Sequence, residues 1–162
     1  MIVLIVYYSR TGKTEKIARQ IGVKINAELQ EIKDYKKRNG IIGFITSGNE
    51  AHLKKTIEIK DMEKEPDNYE IVIIGTPIWA NNISTPIRSF LGKHHPMLKE
   101  KEVAFYCTSL GSDPKPVFKE MENMIIKKPI TVMNITARDI KNQYHVEMVD
   151  NFVKEIKKHG KQ

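Results

Sequence analysis

The sequence predicts an α/β fold: a three-layer, doubly wound domain built on a five-stranded parallel sheet. Three observations carry the prediction. Runs such as Ile71-Val72-Ile73-Ile74 are apolar and β-branched without polar alternation, the mark of strands covered on both faces, as in a parallel sheet. Amphipathic helical patterns separate these runs, and β and α segments alternating at this length build a doubly wound sheet. Right-handed crossovers then place helices on both faces. The length, 162 residues, suits one domain, 1–162, with its own core.

The elements follow in order. Ile2 to Tyr8 is an apolar first strand and Lys13 to Ile25 an amphipathic first helix. Ala27 to Ile32 is a weaker second strand. A less regular helical pattern spans Ile41 to Lys55, with Gly40, Gly43 and Gly48 in or beside it. Glu63 to Asn68 is a polar surface connection, and Ile71 to Gly75 is the third strand. A short helix opens at Ser84-Thr85-Pro86, where a hydroxyl cap precedes a proline in the first turn. Glu102 to Cys107 is the fourth strand, Asp113-Pro114 to Ile126 the next helix, and Ile130 to Ile135 the fifth strand. The last helix runs from Asn142 to His159 and ends at Gly160.

Hydrophobic residues make up 40% of the chain and charged ones 29%, a globular balance rather than a disordered one. No apolar run approaches the roughly 20 residues of a membrane span. Met1 leads straight into strand-like residues, without the basic region of a signal peptide. Cys107 is the only cysteine, so disulfides do not hold the fold and a cytoplasmic setting is expected. The net charge is +7, but the lysines are scattered among acids, as in Lys33-Asp34-Tyr35-Lys36-Lys37-Arg38. No basic stretch is interleaved with aromatics, so no nucleic-acid partner is expected. Solvated helix faces, or docking of a negatively charged protein, account for the charge.

Ligands of such sheets bind at the carboxyl ends of the strands, and three unusual segments fall there. The first is Ser9-Arg10-Thr11-Gly12-Lys13-Thr14. It joins a buried strand to a helix whose first N–H groups are unpaired and whose dipole is positive, a site for an anion. Ser9, Thr11 and Thr14 add hydroxyl donors, and Gly12 admits close backbone approach. A P-loop needs a glycine five positions before Gly12, where Tyr7 stands, and a dinucleotide fingerprint needs further glycines, which are absent. One terminal phosphate fits best. Arg10 and Lys13 either neutralise it or point to solvent; both readings stand.

The second segment, Thr76-Pro77-Ile78-Trp79-Ala80-Asn81-Asn82, holds the only tryptophan. Its Thr, Pro and Asn are turn residues and point to an exposed loop, with the indole covering a planar, apolar ligand; a core plug is the alternative. The third, Thr108-Ser109-Leu110-Gly111-Ser112, offers hydroxyls and amides to the polar edge of a ring. No acid or base stands out in these loops, so no catalytic residue is expected. Cys107 reads as a small buried residue, Met121 and Met124 as core contacts, and Glu15 with Arg19 as an exposed face of mixed charge. His94-His95, before Pro96 in a surface turn, has no carboxylate or cysteine at ligand spacing, so no metal is expected.

On these three segments the chain resembles a short-chain member of the flavodoxin family over nearly its full length. Ser9 to Thr14 meets the family's T/S-x-T-G-x-T phosphate loop, and Thr76 to Asn82 and Thr108 to Ser112 are similar to its second and third loops. The resemblance implies non-covalent FMN, with its phosphate in the first loop and its isoalloxazine between the other two, an aromatic stacking at or near Trp79. It also implies the strand order 2-1-3-4-5 known for flavodoxin. Two departures stand out. Family electron carriers are typically acidic, whereas this chain is basic, and Leu110 replaces the tyrosine that many members stack on the outer flavin face. The expected function is electron transfer between redox partner proteins, acidic ones given the charge. The alternative is an NAD(P)H-dependent FMN or quinone reductase on the same fold. A flavin-independent interaction module is the third reading, and monomer and homodimer both remain open.

Overall fold

A computed structural model describes residues 1–35, 46–51 and 53–160. Strands β1 (Val3–Tyr7), β2 (Glu28–Glu31), β3 (Ile71–Trp79), β4 (Asn82–Ile83), β5 (Glu102–Ser109) and β6 (Val132–Thr136) alternate with helices. These are α1 (Lys13–Ile25), α2 (Thr85–Leu98), α3 (Lys115–Ile125), α4 (Ala137–Lys141) and α5 (His145–His159). The parallel strands lie in the order β2-β1-β3-β5-β6, and β4 pairs with the end of β3 in antiparallel fashion. Setting that two-residue strand aside, the order is the expected 2-1-3-4-5.

The continuous apolar runs are two alternations superposed. Leu4 and Val6 of β1, Val72 and Ile74 of β3, and Phe105 of β5 face one way and pack with Phe90 of α2 and Met121 of α3. Val3 and Ile5, Ile71 and Ile73, and Tyr106 face the other way and pack with Ile17 and Ile21 of α1 and Phe152 of α5. Each fully buried aliphatic side chain contributes about 1.5–3 kcal/mol, so the central strands hold both layers. Met124 packs partly buried against the first layer. Cys107 is buried in β5, and burial pushes its thiol pKa well up. Arg19 Nη2 meets Glu15 Oε1 at 2.7 Å on the outer face of α1.

Helix α1 matches its expected bounds because left-handed residues close both ends, Gly12 at φ 81° and Asn26 at φ 53°. Other boundaries move. β3 continues past Gly75 to Trp79 and β5 past Cys107 to Ser109. The helix after Ser84 is long rather than short, and His94, His95 and Pro96 lie inside it rather than in a surface turn. Proline removes the N–H that would pair with the carbonyl four residues earlier, and His95 Nδ1 replaces it at 3.0 Å from Gly92 O. His94 is buried, its ring 4.8 Å from that of Phe90. The Ser84 hydroxyl does not cap α2; it accepts a hydrogen bond from Thr76 Oγ1 at 2.9 Å. Of the helical pattern at 41–55, residues 46–51 are helical, and 41–45 lie outside the described residues.

The C-terminal helix begins at His145, and short α4 precedes it. Thr136 opens α4 with a capping box: its Oγ1 accepts from Asp139 N at 3.2 Å, and Asp139 Oδ2 accepts from Thr136 N at 2.7 Å. Thr136→Ala is expected to cost about 1 kcal/mol in urea denaturation at neutral pH. The Thr136 hydroxyl and N–H hold the Asp139 carboxyl below its ordinary range. A depressed carboxylate stabilises above its unfolded pKa and ceases to do so as pH falls through the folded one. The deficit of the variant is therefore expected to narrow below about pH 4.

Candidate functional site

Strands β1, β3 and β5 are neighbours in the sheet, so the three segments that follow their apolar cores meet at one edge. At the first, Gly12 takes the N-cap of α1 in a left-handed conformation and no side chain caps the helix. The first-turn N–H groups therefore face outward without an intrahelical partner. Ser9 Oγ lies beside them in sequence, buried and without a hydrogen-bond partner. A buried hydroxyl left unsatisfied costs about 1–3 kcal/mol, a penalty that an anion in this loop removes.

Thr14 is not a free donor. Its side chain is buried, with Oγ1 2.8 Å from Thr108 Oγ1, and its carbonyl accepts from Tyr106 Oη at 3.1 Å. These bonds tie the start of α1 to β5. Burial, with Glu15 and Glu31 adding negative potential, pushes the Tyr7 hydroxyl up to about 12, and burial raises Tyr106 well above its ordinary value. Both phenols stay neutral as structural groups under the loop.

Arg10, Thr11, Lys13 and Thr14 meet Pro77, Ile78 and Trp79 of the second segment and Thr108, Ser109 and Leu110 of the third around a cleft of about 120 Å³. A second hollow of about 170 Å³ shares Ile78, Trp79 and Leu110 with the first and is completed by Ala80, Asn81, Ser112 and Gly48. The two share a wall: the first reaches the start of α1 at Lys13 and Thr14, the second the turn at Ala80 and Asn81. Neither is lined by a carboxylate or a histidine among the described residues. Among the described residues no group of three or more His, Cys, Asp or Glu is placed to hold a metal ion. No helix among them is long and apolar enough to cross a membrane.

Several expected site residues do something else. Thr76 is fully buried, and its hydroxyl also accepts from Ser84 N at 3.1 Å. Asn82 belongs to β4, and its Nδ2 donates to Ala80 O at 2.6 Å. Gly111 N donates to Ser109 Oγ at 3.3 Å.

The second segment is not the exposed loop its composition suggests. Thr76 to Trp79 extend β3, and only Ala80 and Asn81 turn; their φ values of 46° and 60° suit the primed turns of tight hairpins. Trp79 is 6% exposed, edge-on to Tyr8 at 87° with ring centroids 5.4 Å apart. The indole packs in the core cluster and also lines both hollows. Leu110, by contrast, is 75% exposed. Gly48 is the lining residue the sequence reading passed over; its only signal was a glycine interrupting a helical pattern.

A family model described as the flavodoxin domain matches residues 45–158. Among solved structures, a flavoprotein from Lactobacillus acidophilus NCFM in complex with FMN is 25% identical, with a TM-score of 0.70 over 87% of this chain and 97% of that one. Oxidised flavodoxin 2 from Bacillus cereus is 19% identical, with a TM-score of 0.63 over 98% and 99% of the two chains. Two-electron reduced Megasphaera elsdenii flavodoxin is 18% identical, with a TM-score of 0.55 over 95% and 94%. The last two show likeness of fold. No curated protein matches the chain.

Proposed function

This chain belongs to the flavodoxin domain family, and from that premise we propose that it holds FMN non-covalently and passes electrons between redox partners. The observation that carries the reading is the orphaned, buried Ser9 hydroxyl beside the uncapped N-terminus of α1, a donor set suited to an anion such as a phosphate. Ser9 and the first-turn N–H groups take the phosphate, and Arg10 and Lys13 supply countercharge at the mouth. Ile78, Trp79 and Leu110 receive the ring. Backbone at Ala80-Asn81 and the Ser112 segment is within the same hollow, available to its polar edge.

Bound flavin supplies one- and two-electron redox chemistry. The chain's own residues orient and shield it. Among the described residues the walls hold neither carboxylate nor histidine, the side chains that most often move protons in enzymes, which fits a carrier. A net charge of +7 and cations at the mouth favour acidic redox partners. Exposed Leu110 favours the second reading, an NAD(P)H-dependent quinone or flavin reductase, because it leaves one side of the ring site open to a small acceptor.

Titration with FMN and with riboflavin tests the phosphate assignment. FMN is expected to bind more tightly than riboflavin. Ser9→Ala is expected to weaken FMN about tenfold or more, the worth of a hydrogen bond to a charged group, and to leave riboflavin unchanged. Equal affinity of the wild type for the two flavins would refute the phosphate site. Catalytic NADPH consumption with a quinone as acceptor would favour the reductase over the carrier.

A further inference from the structure

On the elements that follow the walls of the ring-end hollow lies a charge cluster that the proposed function does not use. Arg88 is 5% exposed and reaches Glu120 with both terminal nitrogens, Nη1 to Oε1 at 2.8 Å and Nη2 to Oε2 at 3.1 Å. Lys54 Nζ meets the same Glu120 Oε1 at 2.9 Å. Arg88's hydrogen bonds, foremost, hold the Glu120 carboxyl below its ordinary range. Arg88 Nε is buried with no partner. Such a pair is poor value as stabilisation, since desolvation offsets much of the Coulomb gain and apolar side chains of similar volume often do as well. Its placement is more informative than its energy.

Each member leads to a different wall of the hollow. Arg88 sits in the first turn of α2, which begins directly after the Ala80-Asn81 turn and β4. Glu120 lies on α3, the helix that follows Leu110 and Ser112. Lys54 ends the segment that starts at 46–51 and carries Gly48. At its end, Leu53 N donates to Asn49 O at 3.0 Å and Lys55 N to Glu50 O at 3.1 Å, with Lys54 in a left-handed conformation at φ 52°. It is pinned again where Ile57 N donates to Ser89 Oγ at 2.8 Å. Gly48, Asn81 and Leu110 line the hollow, so one carboxylate joins the supports of all three walls.

We infer that Glu120 is a positioning residue for the planar ligand, setting the separation of these walls through Arg88 and Lys54 without touching the ligand. The inference rests on the flavin reading above. It is tested by titrating wild type, Glu120→Ala and Lys54→Ala with FMN and with riboflavin, and by recording the visible spectrum of each loaded protein. Glu120→Ala is expected to weaken both flavins by the same factor, about tenfold, with a shifted flavin spectrum. Lys54→Ala is expected to do so by a smaller common factor. Loss confined to FMN would overturn the inference, because the effect would then act at the phosphate end. Unchanged dissociation constants and spectrum beside a lowered apoprotein melting temperature would also overturn it, leaving a structural role alone. If Glu120→Ala does not fold, Lys54→Ala decides, since its side chain is 61% exposed. A wild type that binds neither flavin would remove the FMN reading itself and this inference with it, an outcome visible before any variant is made.

Discussion

Trp79→Ala is expected to destabilise the flavin-free protein by about 3–5 kcal/mol, the range for a buried tryptophan truncated in a core. The indole is 6% exposed, stands edge-on to Tyr8, and shares a cluster with Val6, Ile83 and Leu91. An aromatic pair of this kind adds about 0.5–1.5 kcal/mol beyond the area it buries. Against the 5–15 kcal/mol of a whole domain, the loss is a fifth or more. Urea denaturation of the apoprotein measures it, with Trp79→Phe as the milder control. A change under about 1 kcal/mol would show that the indole lies outside the core. Loss of flavin in this variant therefore reports a damaged scaffold as well as a missing ring contact.

The second large effect is expected at Gly75. A Cβ placed there would clash with the phenol end of Tyr106, and Tyr106 is fully buried. The ring has little room to retreat, since its hydroxyl donates to Thr14 O at 3.1 Å. Overpacking of this kind costs about 3 kcal/mol or more when neighbours cannot yield. Gly75→Ala is thus expected to lower the melting temperature by roughly 6–12 °C for a chain of this length. The same displacement pulls on the start of α1, so FMN should bind more weakly. A variant with wild-type melting temperature would mean that Tyr106 has another rotamer to adopt.

The order of elements and the helix α1 were legible because local signals agree with the final fold: apolar runs for β1, β3 and β5, and an amphipathic pattern from Lys13 to Ile25 after Gly12 for α1. The errors share a cause, which is that a local breaker was absorbed by a distant partner. Pro77 reads as a turn residue, yet it continues β3 because β1 pairs only as far as Gly75, so no neighbour on that side needs the missing N–H. Pro96 reads as a helix end, yet His95 satisfies the carbonyl it strands. Ser84 reads as a cap, yet its hydroxyl belongs to Thr76. The three strand-end segments were legible as a group, since each carries residues unusual for its place. Burial of Trp79 was not, because it depends on Tyr8 some seventy positions earlier, and the part played by Gly48 depends on how 46–51 packs rather than on what it contains.

The hydroxyl pair Thr14 and Thr108 joins residues 94 apart in sequence. During synthesis, the first segment leaves the ribosome early and waits while β2, β3 and α2 are made. Only when β5 has emerged and slotted beside β3 does the opposite wall exist, and closing so long a loop is slow relative to helix formation. A nascent chain shorter than about 110 residues therefore has a helix N-terminus but no pocket. On the flavin reading, cofactor loading is expected to be a late event in the life of each molecule, and a truncated translation product should leave the cell's flavin pool untouched.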